Sequence, residues 1–119
     1  MSGAPASTPD GSGAFYEIRR YRAHPGRRAD LVRVMEEQVL PFMTEKGMDV
    51  TASFIDEQDP DAYVWIRRFA HEQDRLARCA AVYEHPRWSA EIGPAVLALM
   101  DASAAVVTRA VPTSASPLQ

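Results

Sequence analysis

The chain has 119 residues, 46% of them hydrophobic and 24% charged, which suits one hydrophobic core and leaves no room for two full domains. Thirteen Lys plus Arg stand against sixteen Asp plus Glu, a formal charge of −3, so there is no basic excess to neutralise a phosphate backbone and no nucleic-acid partner is expected. One cysteine cannot staple the fold internally, no stretch approaches the roughly 18 apolar residues of a membrane span, and the N-terminus lacks a basic and apolar leader, so a cytoplasmic protein with no membrane partner is expected.

Residues 1–13 are built almost entirely from Gly, Ser, Pro, Ala and Thr and bury too little apolar surface to order themselves, so they predict a disordered tail. Residues 112–119 have the same character and predict a C-terminal tail, in which Pro117 and Leu118 can tuck against a partner subunit. The fold is expected within 14–111. Phe15 to Ala23 is aromatic and β-branched and ends at His24-Pro25-Gly26, predicting a strand and a turn. Leu31, Val34, Met35, Gln38, Phe42 and Met43 then recur at helical spacing from Arg27 to about Lys46, with Gly47 as the stop and Pro41 as a kink or broken last turn.

Met48 to Asp56 and Ala62 to Phe69 predict an antiparallel pair joined by a polar connection, Glu57 to Asp61. Leu76, Cys79, Ala80 and Tyr83 give a second helix interrupted at His85-Pro86, Trp88, Ile92, Val96 and Leu99 continue the stripe on a third helical segment, and Ala104 to Val111 reads as the last strand. The order β-α-β-β-α-β is a ferredoxin-like α+β arrangement, a four-stranded antiparallel sheet with helices on one face. In Ala62–Phe69, however, Tyr63, Trp65 and Phe69 lie on one side and Val64 and Ile66 on the other. Both sheet faces therefore look covered, and a homodimer pairing sheet against sheet would cover the second.

FYEIRRYRAHPG, VLPFMTEKGM, YVWIRRFAHEQDR, AAVYEHPRW and VVTRAVPT together resemble the NIPSNAP family of the dimeric α/β-barrel superfamily. The resemblance spans nearly all of residues 14–113 and implies a ferredoxin-fold dimer whose facing sheets form a barrel. Relatives of this kind include cofactor-free monooxygenases, polyketide cyclases and isomerases, and haem-binding proteins, so the resemblance does not itself choose a reaction. Cys79 departs from the larger, often aromatic residue expected there, which either enlarges a helix-side cavity or is a packing variant.

Strand parity gathers the residues that can carry chemistry. Phe15, Glu17, Arg19 and Tyr21 share one side of the first strand; Tyr63, Trp65, Arg67 and Phe69 share one side of the third. In a ferredoxin-like sheet these strands are neighbours, and their combined aromatic walls, two guanidinium groups and one carboxylate suit a planar, oxygenated or anionic small molecule. Equally, Glu17 can pair with Arg19 or Arg67 as a buried polar layer at the subunit interface. In the catalytic alternative Arg67 and Arg19 stabilise a developing enolate or carboxylate and Glu17 or Tyr63 moves the proton. Phe15, Tyr21, Trp65, Phe69, Tyr83 and Trp88 would then bind substrate, although the helical spacing of Tyr83 and Trp88 also suits core.

His24, His71 and His85 fall at element ends without metal-ligand spacing, so no metal is expected, and a haem site would need one of them as axial ligand. Arg19, Arg20, Arg22, Arg27 and Arg28 cluster around the first strand and turn, where Asp30, Glu36 and Glu37 can neutralise them as a salt-bridging face. Two readings remain: a cofactor-free isomerase, cyclase or oxygenase acting on a hydrophobic oxygenated metabolite in natural-product biosynthesis, or a non-catalytic binding and interaction protein. A haem-binding protein is a third.

Overall fold

A computed structural model describes residues 13–119. Strand β1 (Phe15–Arg22) leads through a turn to helix α1 (Arg28–Val34), which passes through a π-helical segment (Met35–Val39) into helix α2 (Leu40–Glu45). Strands β2 (Asp49–Ile55) and β3 (Ala62–Phe69) form a hairpin, followed by helix α3 (Glu72–Tyr83). A second π-helical segment (Trp88–Ile92) opens into helix α4 (Gly93–Leu97), and a short 3-10 turn (Ala102–Ala104) precedes strand β4 (Val106–Ala110). The sheet order is β2-β3-β1-β4 with every pairing antiparallel. This is the expected ferredoxin-like architecture, with β1 and β3 adjacent at its centre.

Pro41 does not break the first helix. A proline lacks the N–H that an α-helix needs and its ring crowds the carbonyl four residues back. Here the chain widens by one residue immediately before it: the Leu40 N–H bonds to the Met35 carbonyl, five residues back, and the helix then runs on to Glu45. The same solution recurs before Pro94, where the Gly93 N–H bonds to the Trp88 carbonyl. The last strand starts two residues later than expected, because Asp101 caps the 3-10 turn by accepting from the Ser103 N–H.

Leu31, Met35, Val39, Phe42 and Met43 from the first helical run pack on Tyr63, Trp65 and Phe69 of β3, with Val82, Ile92 and Val96 closing the core from the second. The sheet's helix-covered face therefore carries Phe15, Glu17, Arg19 and Tyr21 opposite Phe69, Arg67, Trp65 and Tyr63, residue for residue. On the other face Ile18, Val64 and Ile66 are half-buried while Phe54 and Val106 are each 55% exposed. Residues 112–119 fold back over part of that face: the Gln119 carbonyl accepts from the Tyr16 hydroxyl at 3.2 Å and from Arg68 Nε at 2.7 Å.

The arginine cluster finds one expected partner, Asp30, and two that were not expected, Asp56 and Asp59. Arg20 and Arg22 reach across to the β2–β3 connection, Arg20 bonding Asp56 at 2.9 Å and Arg22 bonding Asp59 at 2.7 Å. Arg28 donates to the carbonyls of Asp56 and Asp59, tying α1 to that connection, while Arg27 pairs with Asp30. Asp56 also accepts the N–H groups of Asp59 and Gln58, and these bonds, with Arg20, hold its carboxyl down at about 2. Glu36 and Glu37 take no part in these pairs, because helix geometry points them away to solvent.

In the turn before α1 the Arg27 N–H bonds to the His24 carbonyl and Gly26 has φ +77°, with open space where a Cβ would stand. Gly26→Ala therefore meets backbone strain and no clash, and a loss of about 1–2 kcal/mol is expected. Urea unfolding checks this; an unchanged midpoint at constant slope would contradict it.

Candidate functional site

Between the helix-covered sheet face and the helices lies a cavity of about 340 Å³. Arg19, Tyr21 and Trp65 form its sheet wall, and Tyr83 and Trp88 stand at the helix side. Both π-helical segments contribute to it: Met35 and Val39 come from the first, Trp88 from the second, with Gly93 directly after. The wider turn of a π segment pushes side chains out of α-helical register, a distortion that recurs at functional sites. Trp88 rests edge-on against Tyr83 at 4.9 Å and 82°. Its indole also lies so close to Gly93 that a Cβ there would sit 2.9 Å from Nε1, so glycine is what permits this placement.

Beside the sheet wall, on the same sheet face, runs a polar chain. Glu17 Oε1 accepts from Arg67 Nε at 2.8 Å and from Arg19 Nη1 at 3.0 Å. Arg67 Nη1 donates to the Tyr83 hydroxyl at 2.8 Å and to Met48 Sδ at 3.2 Å, and Arg19 Nε donates to the Tyr21 hydroxyl at 3.2 Å. Arg67 is 2% exposed and its guanidinium lies 5.2 Å from the Trp65 ring centroid and 5.4 Å from that of Phe69. Two cations share one carboxylate, so the cluster carries one net positive charge. Buried charge of this kind persists only when paired and hydrogen-bonded.

Burial pushes the Glu17 carboxyl up, but the Arg67 guanidinium and then Arg19 outweigh it and leave the group below its ordinary 4.5. It is held ionised, which weakens it as a base. Burial raises the Tyr83 phenol, and Arg67 offsets this only in part. Tyr83 therefore stays protonated. Trp65, fully buried and lining the cavity, has an indole Nε1–H with no acceptor among the described residues.

The expected residues divide into three groups. Arg19, Tyr21, Trp65, Tyr83 and Trp88 line the cavity, and Glu17 with Arg67 lies immediately beside it. Phe15 and Phe69 pack on each other at 5.6 Å at the far end of the strands, with Arg109 3.6 Å over the Phe15 ring; they are outside the cavity lining. Tyr63 is outside it as well, its hydroxyl 2.6 Å from Ser53 Oγ. Cys79 does not enlarge the cavity: it packs against the core, with Sγ 4.0 Å from Arg67 Nη2. The lining that strand parity missed comes from Met43, Val96, Leu97 and Met100 as well as the π segments.

None of the histidines lines the cavity. His71 caps α3 by accepting the Asp74 N–H at 3.1 Å, and His85 accepts the Arg87 N–H at 3.0 Å and packs on Phe42. Among the described residues no cluster of three or more His, Cys, Asp or Glu could hold a metal ion. The cavity thus offers no imidazole as an axial ligand for haem. A second hollow, of about 620 Å³ beside Arg28, Ile55 and Asp61, is shallow, and its one guanidinium is spent on backbone carbonyls.

Replacing the shared carboxylate, as in Glu17→Leu, leaves the buried Arg67 guanidinium without its counter-ion and is expected to cost about 3–5 kcal/mol, with Glu17→Leu/Arg67→Met recovering much of it. Denaturant unfolding of the parent, the two single variants and the double variant measures this coupling; additive losses would refute it. Because the Glu17 pKa is lowered on folding, its stabilising contribution is complete above its ordinary 4.5 and is lost as pH falls below that value through the native one. Melting temperatures from about pH 6 to about pH 3 should accordingly fall more gently in Glu17→Gln than in the parent.

The NIPSNAP family profile matches residues 16–117. The chain is similar to a NIPSNAP family protein of unknown function from Agrobacterium tumefaciens, at 28% identity and TM-score 0.80 over 91% of this chain and 96% of that one. A second NIPSNAP family protein from Agrobacterium tumefaciens superposes at TM-score 0.79 and 22% identity, covering 89% and 91%. SnoaB, a cofactor-independent oxygenase from Streptomyces nogalater, shares the fold at TM-score 0.62 and 16% identity over 88% and 96%. No curated protein matches the chain. The family profile covers all of the sheet but Phe15, the helices and the polar chain beside the cavity, and on that match the chain belongs to the NIPSNAP family.

Proposed function

We propose that this protein binds a small hydrophobic, oxygenated metabolite in the cavity and acts on it without an organic cofactor, as an isomerase, cyclase or oxygenase of natural-product biosynthesis. The observation that carries this reading is the cavity itself. An apolar, aromatic-walled space has Arg19 and the Tyr83 phenol at its wall and one net positive charge immediately beside it. Reactions through an enolate or phenolate gather negative charge on a substrate oxygen, and preorganised donors around that oxygen lower the barrier. The shared fold with a cofactor-independent oxygenase supports the same class.

In this reading Arg19 and Arg67 stabilise the oxyanion, Arg67 acting through Tyr83. The protonated Tyr83 phenol donates toward the substrate oxygen, and Trp65 with Tyr21 orients the ring. Glu17 serves as the counter-ion that keeps both guanidinium groups in place; its lowered pKa suits that task better than proton abstraction. Tyr63, bonded to Ser53 and outside the lining, has no part. We further propose a homodimer formed through the sheet face that carries half-buried Ile18, Val64 and Ile66 and exposed Phe54 and Val106, an apolar surface that favours a second copy.

A second reading is a non-catalytic binding and interaction protein. The full engagement of Arg67 by Glu17, Tyr83 and Met48 favours it, since a saturated buried arginine can serve packing alone. Native mass spectrometry of gently purified protein, with an absorbance spectrum of the same sample, separates the two. The first reading expects two chains and a retained organic mass that Arg19→Ala loses while the dimer survives. A ligand-free dimer favours the second, a monomer removes the dimer, and a mass that persists in both Arg19→Ala and Tyr83→Phe sits elsewhere and sinks the cavity.

A further inference from the structure

Resting on the cavity as a ligand site, we propose that its ligand is a flat, apolar carboxylic acid bound as the monoanion, with the carboxylate against Arg19 and the Trp65 indole. Three independent features point there. The first is charge. Arg19 and Arg67 bring two positive charges, at 3.0 and 2.8 Å from the one negative charge of Glu17, so one further negative charge neutralises the cluster. A neutral ligand would leave a guanidinium uncompensated beside an apolar space, and a dianion would bring a charge with no counterpart.

The second is the polarity of the hydrogen-bonding groups. The Trp65 Nε1–H is buried without an acceptor, and an unmade bond of that kind is costly. Arg19 Nη2 makes no hydrogen bond among the described residues, its Nη1 and Nε being used on Glu17 and Tyr21. The Tyr21 and Tyr83 oxygens each already accept from an arginine, which leaves their hydrogens to donate. Much of the remaining lining is thioether and hydrocarbon: Met35, Met43, Met100, Val39, Val96 and Leu97. Such a site lacks acceptors and has donors to spare, the complement of a carboxylate.

The third is shape. Tyr21 and Trp65 pair at 73° on the sheet side, and Trp88 and Tyr83 at 82° on the helix side, so aromatic rings border the space from both sides. Its 340 Å³ volume lies near the lower end of ligand pockets, about 300–1,000 Å³, and suits about two fused rings.

The chain's two tryptophans, Trp65 and Trp88, both line the cavity, so intrinsic fluorescence reads this site directly. The experiment titrates the full chain with 2-naphthoate, its neutral isostere 2-naphthamide and the dianionic 2-naphthyl phosphate, following tryptophan emission and calorimetry together. Naphthoate is expected to bind about tenfold more tightly than either of the others, the scale of one charge-assisted bond. Arg19→Gln should bring naphthoate and naphthamide to within about twofold of each other, and Trp65→Phe should weaken naphthoate several-fold, with thermal melts confirming that each variant is folded. Equal binding of naphthoate and naphthamide to the parent overturns the carboxylate while leaving the cavity a ligand site. Tighter binding of naphthyl phosphate overturns it too, as does a preference that survives Arg19→Gln. If no probe binds and the emission does not move, the cavity reading falls and takes this proposal with it.

Discussion

One carboxylate between two guanidinium groups organises this molecule. Glu17 faces Arg67 directly across the β1–β3 pair, and Arg19 follows two positions along the same side of β1. Because side chains alternate, a slip of one residue between the strands would send Arg67 to the face opposite Glu17 and Arg19. The ion cluster and the apolar alternation thus specify the same strand pairing, and the helices cover the cluster because Trp65 and Phe69 beside it must be buried. Arg67 then reaches from the sheet to α3 through the Tyr83 hydroxyl, so the central strands and the second helical run are joined by a polar contact inside an apolar core.

Much of this was legible from sequence because it depends on periodicity. The 2-residue period of FYEIRRYR and AYVWIRRF separates Glu17, Arg19, Trp65 and Arg67 from their neighbours, and the 3.6-residue period of Leu31, Met35, Phe42 and Met43 marks the covering helix. Parity groups residues without saying which group meets the helices, so the placement of the site inside the monomer had to come from the structure. Parity also extends a group along the whole strand, whereas the cavity takes only its middle and one end. Phe15, Phe69 and Tyr63 share the face of Trp65 yet fall outside.

Other features had weaker signals. Asp56 and Asp59 attract Arg20 and Arg22 because hairpin closure brings them beside β1, a long-range effect that no local pattern carries. Met35, Met43 and Met100 read in sequence as ordinary core residues. They line the cavity together with Val39 and Trp88 of the π segments, where the flexible thioether adapts to an irregular surface. Pro41 and Pro94 were the available clue to those segments, since a missing N–H can be absorbed by widening the helix as readily as by ending it.

The pair of π segments also gives the cavity an unusual genetic basis. A π turn is an α-helix carrying one residue too many, and each residue of an α-helix rotates the chain by about 100°. Loss of a single codon within Met35–Val39 or Trp88–Ile92 would restore regular helix and swing the side chains around that point away from the space they now enclose. The core beyond could remain packed by the same amino acids. In this protein the size of the chamber is therefore set by chain length as much as by side-chain volume, and single-residue insertions and deletions in two short helical stretches are a direct route by which relatives could open, close or reshape it.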